Sequence, residues 1–129
     1  MIYLDTSVVL AQLLAEDRRP PSSLWDESLV TSRLLEYELW NRLHARALTD
    51  THGEAARLLL ARMAFLELAQ PVLVRAVEPF PTPVRTLDAL HLASAEFLRR
   101  AGQSVRVASY DSRFLSAASA IRFEIFPLQ

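Results

Sequence analysis

The 129-residue chain has no cysteine. Disulfides, zinc ribbons, iron–sulfur clusters and thiol nucleophiles are excluded together, and a reducing, cytoplasmic setting is the simple expectation. Lysine is absent too, since all 14 basic residues are arginine. Every mechanism that depends on a lysine is therefore out. Glycine is down to Gly53 and Gly102, which leaves no GxGxxG, no GxxxxGK[ST] and no GxSxG. Nucleotide cradles on glycine-rich turns and the α/β-hydrolase nucleophile elbow go with them. No apolar run is long enough to span a bilayer. The opening MIYLDTSVVLAQLLAE has no basic residue ahead of its apolar run and is interrupted by Asp5, so it reads as folded structure and not as a secretory leader. Nor is there a basic surplus: a net charge of −1 gives no electrostatic reason to expect nucleic acid.

What is present suits one domain, residues 1–129, with 51% of residues apolar and 22% charged. Ile2 to Leu4 reads as a short strand, followed by a polar turn with Thr6 or Ser7 as helix cap, then VVLAQLLAE as helix. RRPPSS breaks the chain and SLWDE suits one helical turn. LVTS is a second strand leading into a long helix over Ser32 to Leu48. A further helix spans Thr51 to Phe65, with Ala55, Leu58, Leu59, Met63 and Leu66 at helical spacings. LELAQ is the candidate third strand, PVLVRAV fits helix or strand, and Pro79 to Val84 is a loop. The helix containing TLDALHLASA ends at Gly102, which suits a left-handed cap after Arg99 and Arg100. SVRVASY is a fourth strand, SRFLSAASA a short helix and RFEIF a fifth strand. Strands alternating with helices predict an α/β fold, a parallel sheet of about five strands covered on both faces.

In open α/β sheets the ligand site lies beyond the carboxyl ends of the strands. Asp5 ends the first strand, Asp111 ends the fourth, and Glu38 and Asp88 lie in early turns of helices that start at the same edge. Each has a plainer role available. Asp88, two residues after a Thr86 cap, favours the positive end of its helix by roughly 0.3–1 kcal/mol. Asp111 can cap SRFL, worth roughly 1 kcal/mol, and Glu38 can pair with Arg42, worth about 0.2–0.5 kcal/mol. As a set they resist that explanation, Asp5 most of all. Two carboxylates ~4 Å apart at an effective dielectric near 20 repel by roughly 4 kcal/mol, so a cluster needs protons or a cation. With no Cys, and no HxxxH pair among three His, the oxygen-only set suits Mg²⁺ or Mn²⁺ and not zinc.

Glu36 and Glu38 are two apart on one helix and cannot both face a site. Spacing does not choose between them, although Glu38 shares a polar stripe with Asn41 and Arg42 while Glu36 has Arg33 and Trp40 beside it. His91 lies on the face of Asp88. It is expected mainly as a satisfied, half-buried histidine, with a hydrogen bond to Asp88 or a role as base as the alternative. His44 and His52 carry no constellation.

The segments MIYLDTSVVLAQLL, VTSRLLEYELWNRL, RTLDALHLASA and VASYDSRF, in that order, resemble the PIN-domain ribonucleases, most closely the VapC-type toxins of bacterial and archaeal toxin–antitoxin pairs. The likeness covers essentially the whole chain, and LDTS, TLDALHLA and SYD together make it specific. It implies a three-layer α/β/α sandwich of the PIN type. It assigns Asp5, Glu38, Asp88 and Asp111 as the catalytic, metal-binding acids, with the acid of SxLxxxEL falling on Glu38. Ser109 would orient a carboxylate or a water, and Thr6 and Asn41 would support the site. The implied activity is hydrolysis of RNA phosphodiester bonds assisted by Mg²⁺, with Mn²⁺ able to substitute, leaving 5′-phosphate and 3′-hydroxyl ends. Arg42, Arg85 and Arg113, each near an acid in sequence, are candidates to hold flanking phosphates, pairing with carboxylates being the alternative. The implied partners are RNA, a VapB-type antitoxin laid in an apolar groove and a second copy in a homodimer, both protein partners motivated by the long apolar helices from Ser32 to Phe65. A catalytically silent PIN-like binding module and a metal-dependent phosphatase are the competing readings. Four retained acids speak against the first; the missing lysine and the missing second Asp of a DxD motif speak against the second. The weakly marked third strand and the proline-rich PFPTP depart from the family pattern without touching the acids.

Overall fold

Ile2, Tyr3 and Leu4 are consecutive and fully buried. Side chains alternate across a strand, so this requires cover on both faces. In the computed structural model, which describes residues 1–14 and 17–128, helices supply it. The elements are β1 (Ile2–Leu4), α1 (Thr6–Leu13), a 3-10 turn (Ser22–Asp26), β2 (Leu29–Ser32), α2 (Arg33–Ala45), α3 (Thr49–Leu60), β3 (Ala64–Leu66), α4 (Gln70–Ala76), α5 (Thr86–Arg100), β4 (Arg106–Ala108), α6 (Ser112–Ala120) and β5 (Glu124–Ile125).

Ile2 and Leu4 face a core completed by Val8 and Val9 of α1, Leu35, Leu39 and Leu43 of α2, and Ala56 and Leu60 of α3. Tyr3, Val30 and Val107 face a second core completed by Leu92 and Ala95 of α5 and Phe114 and Ala117 of α6. The result is the expected three-layer sandwich. The short helix α4 packs on α5, where Arg75 and the buried Glu96 form an ion pair. All neighbouring strands are parallel in the order β3-β2-β1-β4-β5. The chain therefore leaves β1 to one side for β2 and returns to its other side for β4. Between the carboxyl ends of β1 and β4 lies the switch point where such sheets open a crevice.

Several boundaries differ from the sequence expectation. The helix expected to reach Leu48 stops at Ala45, because Ala47 turns left-handed at φ 55° and the Leu48 N–H bonds back to the Leu43 carbonyl at 2.8 Å. The next helix covers Thr49–Leu60 and not Thr51 to Phe65. The third strand is Ala64–Leu66 and not LELAQ, in register with Val30, Thr31 and Ser32. PVLVRAV is helical, with Pro71 in the first turn of α4 where its missing N–H does no harm. α1 is capped by neither Thr6 nor Ser7: Asp5 holds the N-cap position, and its side chain accepts no backbone N–H of the helix. Arg85, not Thr86, precedes α5. Of the expected helix VVLAQLLAE, Ala15 and Glu16 lie outside the described residues. Within Ser32 to Phe65 the apolar residues turn mostly inward, leaving Tyr37 and Leu58 exposed, whereas α4 and its end expose Leu73, Val74 and Val77. No helix among the described residues is long and apolar enough to cross a membrane.

Candidate active site

At the switch point one cleft of about 610 Å³ is lined by Asp5, Glu38, Asp88 and Asp111 together. Four elements distant in sequence thus bring all four candidate acids to the same edge.

Asp5 is 7% exposed and sits between β1 and α1. Its Oδ2 accepts from the Ser7 hydroxyl at 2.7 Å and the Ser109 hydroxyl at 2.7 Å. Those hydroxyls also accept backbone N–H groups, Ser7 from Tyr110 at 3.0 Å and Ser109 from Asp111 at 2.9 Å. Two serines therefore lock the end of β1 to the end of β4. Asp5 thus spends one carboxylate oxygen on the two serines and none on the backbone of α1.

Glu38 follows the same plan from α2. Its Oε1 accepts from the Thr6 hydroxyl at 2.7 Å and lies 2.7 Å from Nε2 of His91, whose Nδ1 is 2.7 Å from the Tyr3 hydroxyl. His91 is thus the satisfied, buried histidine of the main expectation, and its bond goes to Glu38 and not to Asp88, the alternative. Glu36 points out to Arg33 at 2.8 Å, as two residues on a helix dictate. No ion pair between Glu38 and Arg42 forms among the described residues, although Arg42 lines the cleft.

Asp111 does cap α6, its Oδ1 accepting the N–H groups of Arg113 at 2.9 Å and Phe114 at 3.4 Å. The plainer role and the place in the cleft coexist. Asp88 differs from the other three, for no hydrogen bond among the described residues reaches its carboxyl. Half-burial, then the nearby Asp111 and Asp5 carboxylates, push it above the usual carboxylate range, while His91 and Arg85 pull the other way.

In Asp5, Glu38 and Asp111, then, one carboxylate oxygen is held by two donors and the other is left without a hydrogen bond among the described residues. Three fixed acids with an open oxygen apiece suit a hard divalent cation. Mg²⁺ in particular keeps several waters and is held through one or two carboxylates, not by an all-protein cage. As placed, no three His, Cys, Asp or Glu side chains among the described residues form a group that could hold a metal ion, so the acids share a cleft without forming a finished site.

Of the supporting candidates, Ser109 and Thr6 each donate to an acid. Asn41 does not reach the cleft. It lines a separate groove with Arg33, Glu36, Tyr37, Trp40 and His44, because the cleft opens on the side of α2 marked by Glu38 and Arg42. Arg42 and Arg85 line the cleft, and Arg113 lines an adjoining groove that shares Arg85 and Asp88. Sequence reasoning missed Ser7 as a donor to Asp5, although a hydroxyl two residues beyond a strand-end acid is a usable signal. It also missed Arg18, which lines the cleft with its guanidinium 4.9 Å from the centre of the Tyr110 ring. A residue in the proline-rich break offers no periodicity to place it.

Residues 2–120 match the PIN domain family. A ribonuclease of Mycobacterium tuberculosis, VapC47, is 34% identical over 130 aligned positions, spanning 95% of this chain and 93% of its own length. Among solved structures, Mycobacterium tuberculosis VapC20, described as a toxin that cleaves the sarcin-ricin loop, superposes with a TM-score of 0.71 at 24% identity, covering 98% of this chain and 100% of that one. A toxin–antitoxin complex from Klebsiella pneumoniae gives 0.69 at 12% identity, with 100% of this chain and 98% of the other covered. The switch-point cleft, its acids and these likenesses agree: the chain belongs to the PIN-domain family.

Proposed function

We propose that the protein is a metal-dependent endoribonuclease, the toxin of a type II toxin–antitoxin pair, acting in the cytoplasm. The observation that carries this reading is the cleft itself, which Asp5, Glu38, Asp88 and Asp111 all line and in which three of them each keep one oxygen open. These acids would hold Mg²⁺, or Mn²⁺ in its place. Such an ion supplies charge neutralisation at a phosphate and makes water a stronger nucleophile at neutral pH. The chain's own part is positioning. Ser7 and Ser109 hold Asp5, Thr6 and His91 hold Glu38, and the start of α6 holds Asp111.

A chain of net charge −1 is a poor general binder of RNA, so attraction must be local. Arg18, Arg42 and Arg85 line the cleft, and Arg113 extends the cationic track into the groove beside Asp88 and Arg85. Backbone phosphates on either side of the scissile bond are their natural partners. The partners this reading implies are a VapB-type antitoxin, in keeping with the solved toxin–antitoxin complex that shares the fold, and a second copy in a homodimer. The exposed Leu73, Val74 and Val77 offer apolar surface for one of them, and sedimentation that finds only monomer at working concentrations would remove the homodimer.

The test is to strip the protein of metal and incubate it with structured RNA and, separately, with a generic phosphate monoester, adding back Mg²⁺ or Mn²⁺. RNA cleavage should appear only with metal and the monoester should remain intact. Asp5→Asn and Asp88→Asn should each slow cleavage by up to about 10³-fold, the scale of losing one electrostatic stabiliser. Cleavage by both variants at the wild-type rate would sink the assignment. Arg85→Ala should weaken RNA binding and lower the slope of log affinity against log salt by about 1; an unchanged slope removes Arg85 from the track.

A further inference from the structure

His91 is 1% exposed and Tyr3 is fully buried, yet each spends its polar atoms on the other and on the cleft. Tyr3 lies in the middle of β1, whose neighbours Ile2 and Leu4 are aliphatic, and His91 lies among Leu90, Leu92 and Ala93 of α5. Packing alone would accept Phe and Leu at these two positions. A polar pair in such surroundings is favourable only when its hydrogen bonds are complete. Here the sequence of bonds is continuous, from the Tyr3 hydroxyl to Nδ1 of His91 and from Nε2 of His91 to Oε1 of Glu38, both at 2.7 Å. It ends on an acid of the cleft.

The direction of the protons follows from the chemistry of the end group. A carboxylate only accepts, so Nε2 carries the hydrogen and donates it to Glu38. Nδ1, the other ring nitrogen, is held by the Tyr3 hydroxyl at 2.7 Å, a group that can both donate and accept. Tyr3 thereby occupies Nδ1 and leaves Nε2 to hold Glu38. Edge-on packing of the His91 ring against Tyr3, with ring centres 5.8 Å apart, and against Phe114, at 6.3 Å, fixes its plane. With Thr6 as the second donor, Oε1 of Glu38 is saturated and only Oε2 is free to turn to the cleft.

We propose that Tyr3 and His91 are positioning residues, a buried relay that holds Glu38 with one oxygen anchored and the other presented to a divalent cation. The proposal rests on the reading of Glu38 as a ligand. Donors behind metal-binding carboxylates are worth about 10–100-fold in metal affinity.

Mn²⁺ binding by the metal-free full chain, followed by electron paramagnetic resonance of the free ion, tests it without reference to turnover. Tyr3→Phe and His91→Leu should weaken Mn²⁺ binding by about 10-fold or more. His91→Gln, which retains an N–H able to reach Glu38, should recover part of the loss suffered by His91→Leu. Glu38→Gln separates the two levels of the argument. If Glu38→Gln binds Mn²⁺ as wild type does, Glu38 is no ligand and the proposal falls with that reading. If Glu38→Gln loses affinity while Tyr3→Phe and His91→Leu keep it, the ligand reading stands and the relay alone is overturned. Should His91→Leu fail to fold, Tyr3→Phe, which removes one oxygen atom, still decides the matter by the same measurement.

Discussion

Helices α2, α5 and α6 are built differently at their two ends. At the starts of α5 and α6 stand Asp88 and Asp111 and in the second turn of α2 stands Glu38, all lining one cleft with Asp5. Just beyond the ends stand Ala47, Gly102 and Arg122, each at positive φ. Each is followed by the same backbone bond, Leu48 N–H to the Leu43 carbonyl, Gln103 N–H to Leu98 and Phe123 N–H to Ala118. These ends satisfy the carbonyls they leave over and need nothing from outside the chain. The starts gather like charges, and Asp88 is pushed up by burial and then by Asp111 and Asp5. One set of ends is shaped by the chain's own stability; the other carries charge left unpaired among the described residues, the place where the proposed function puts a cation.

Neutralising a start disturbs that contrast most. Asp88→Asn, the variant expected to lose up to about 10³-fold in cleavage, should at the same time stabilise the metal-free protein at neutral pH. Asp88 is half-buried, so solvent screening limits the gain to on the order of 1 kcal/mol. Because the folded state holds the Asp88 proton more tightly than the unfolded chain does, metal-free wild type loses stability as pH rises from the ordinary value of 3.8 up through the raised one. Below 3.8 both states are protonated and the penalty vanishes. Asp88→Asn should lack this fall. Urea unfolding without metal, repeated from acid to neutral pH, measures it, and superimposable profiles for variant and wild type would mean that Asp88 feels no such pressure.

The contrast also explains what could be read from the sequence. Strand and helix order was legible because buried runs such as IYL and LVTS and the helical spacing in α5 follow from burial alone. Gly102 announced its left-handed cap in residue type. Ala47 and Arg122 adopt the same conformation without that signal, so the helix from Ser32 was extended three residues too far. The third strand was displaced because Ala64 to Leu66 is an edge strand, only partly buried, whose place is set by pairing with β2 and not by its own pattern. At the site, the acids were legible as chain positions at one sheet edge. Of their donors, Ser109 and Thr6 were legible through the family resemblance and Ser7 left a local signal two residues from Asp5. The His91 bond to Glu38 and the Tyr3 bond behind it instead cross the sandwich over separations that no local periodicity encodes. Asn41 shows the converse error, a polar stripe on α2 that the cleft does not reach.

The helix ends allow the opposite experiment, improvement without loss of function. An alanine in the left-handed region is strained by about 1 kcal/mol, and Ala47 is exposed with no side chain to lose. Ala47→Gly should therefore raise stability by about 1 kcal/mol, less the extra chain entropy of glycine, with RNA cleavage unchanged. Gly102→Ala should lower it by a similar amount. An added Cβ there meets nothing within 4 Å, so the loss would be conformational and not steric. Thermal unfolding of the two variants side by side should move the midpoint in opposite directions, by about 4 °C each. Movement in the same direction would deny that the two helix ends share a cap.

Helix α3 is the control, since it contributes no acid to the cleft and stops at Ala61 in ordinary helical geometry, φ −65°. Its weak point is internal. Gly53 sits in the second turn, where glycine costs a helix roughly 0.5–1 kcal/mol relative to alanine. A Cβ at this position would lie 3.7 Å from the Trp40 ring, 3.8 Å from the Arg57 guanidinium and 3.9 Å from the Thr49 methyl, all ordinary contacts. Gly53→Ala should accordingly stabilise the protein by about 0.5 kcal/mol, the smallest of these effects, and leave Mn²⁺ affinity where it was. A destabilised variant would mean that the Arg57 guanidinium stacked over Trp40 cannot shift to admit a methyl group. The α2–α3 packing would then be tighter than ordinary van der Waals contact requires.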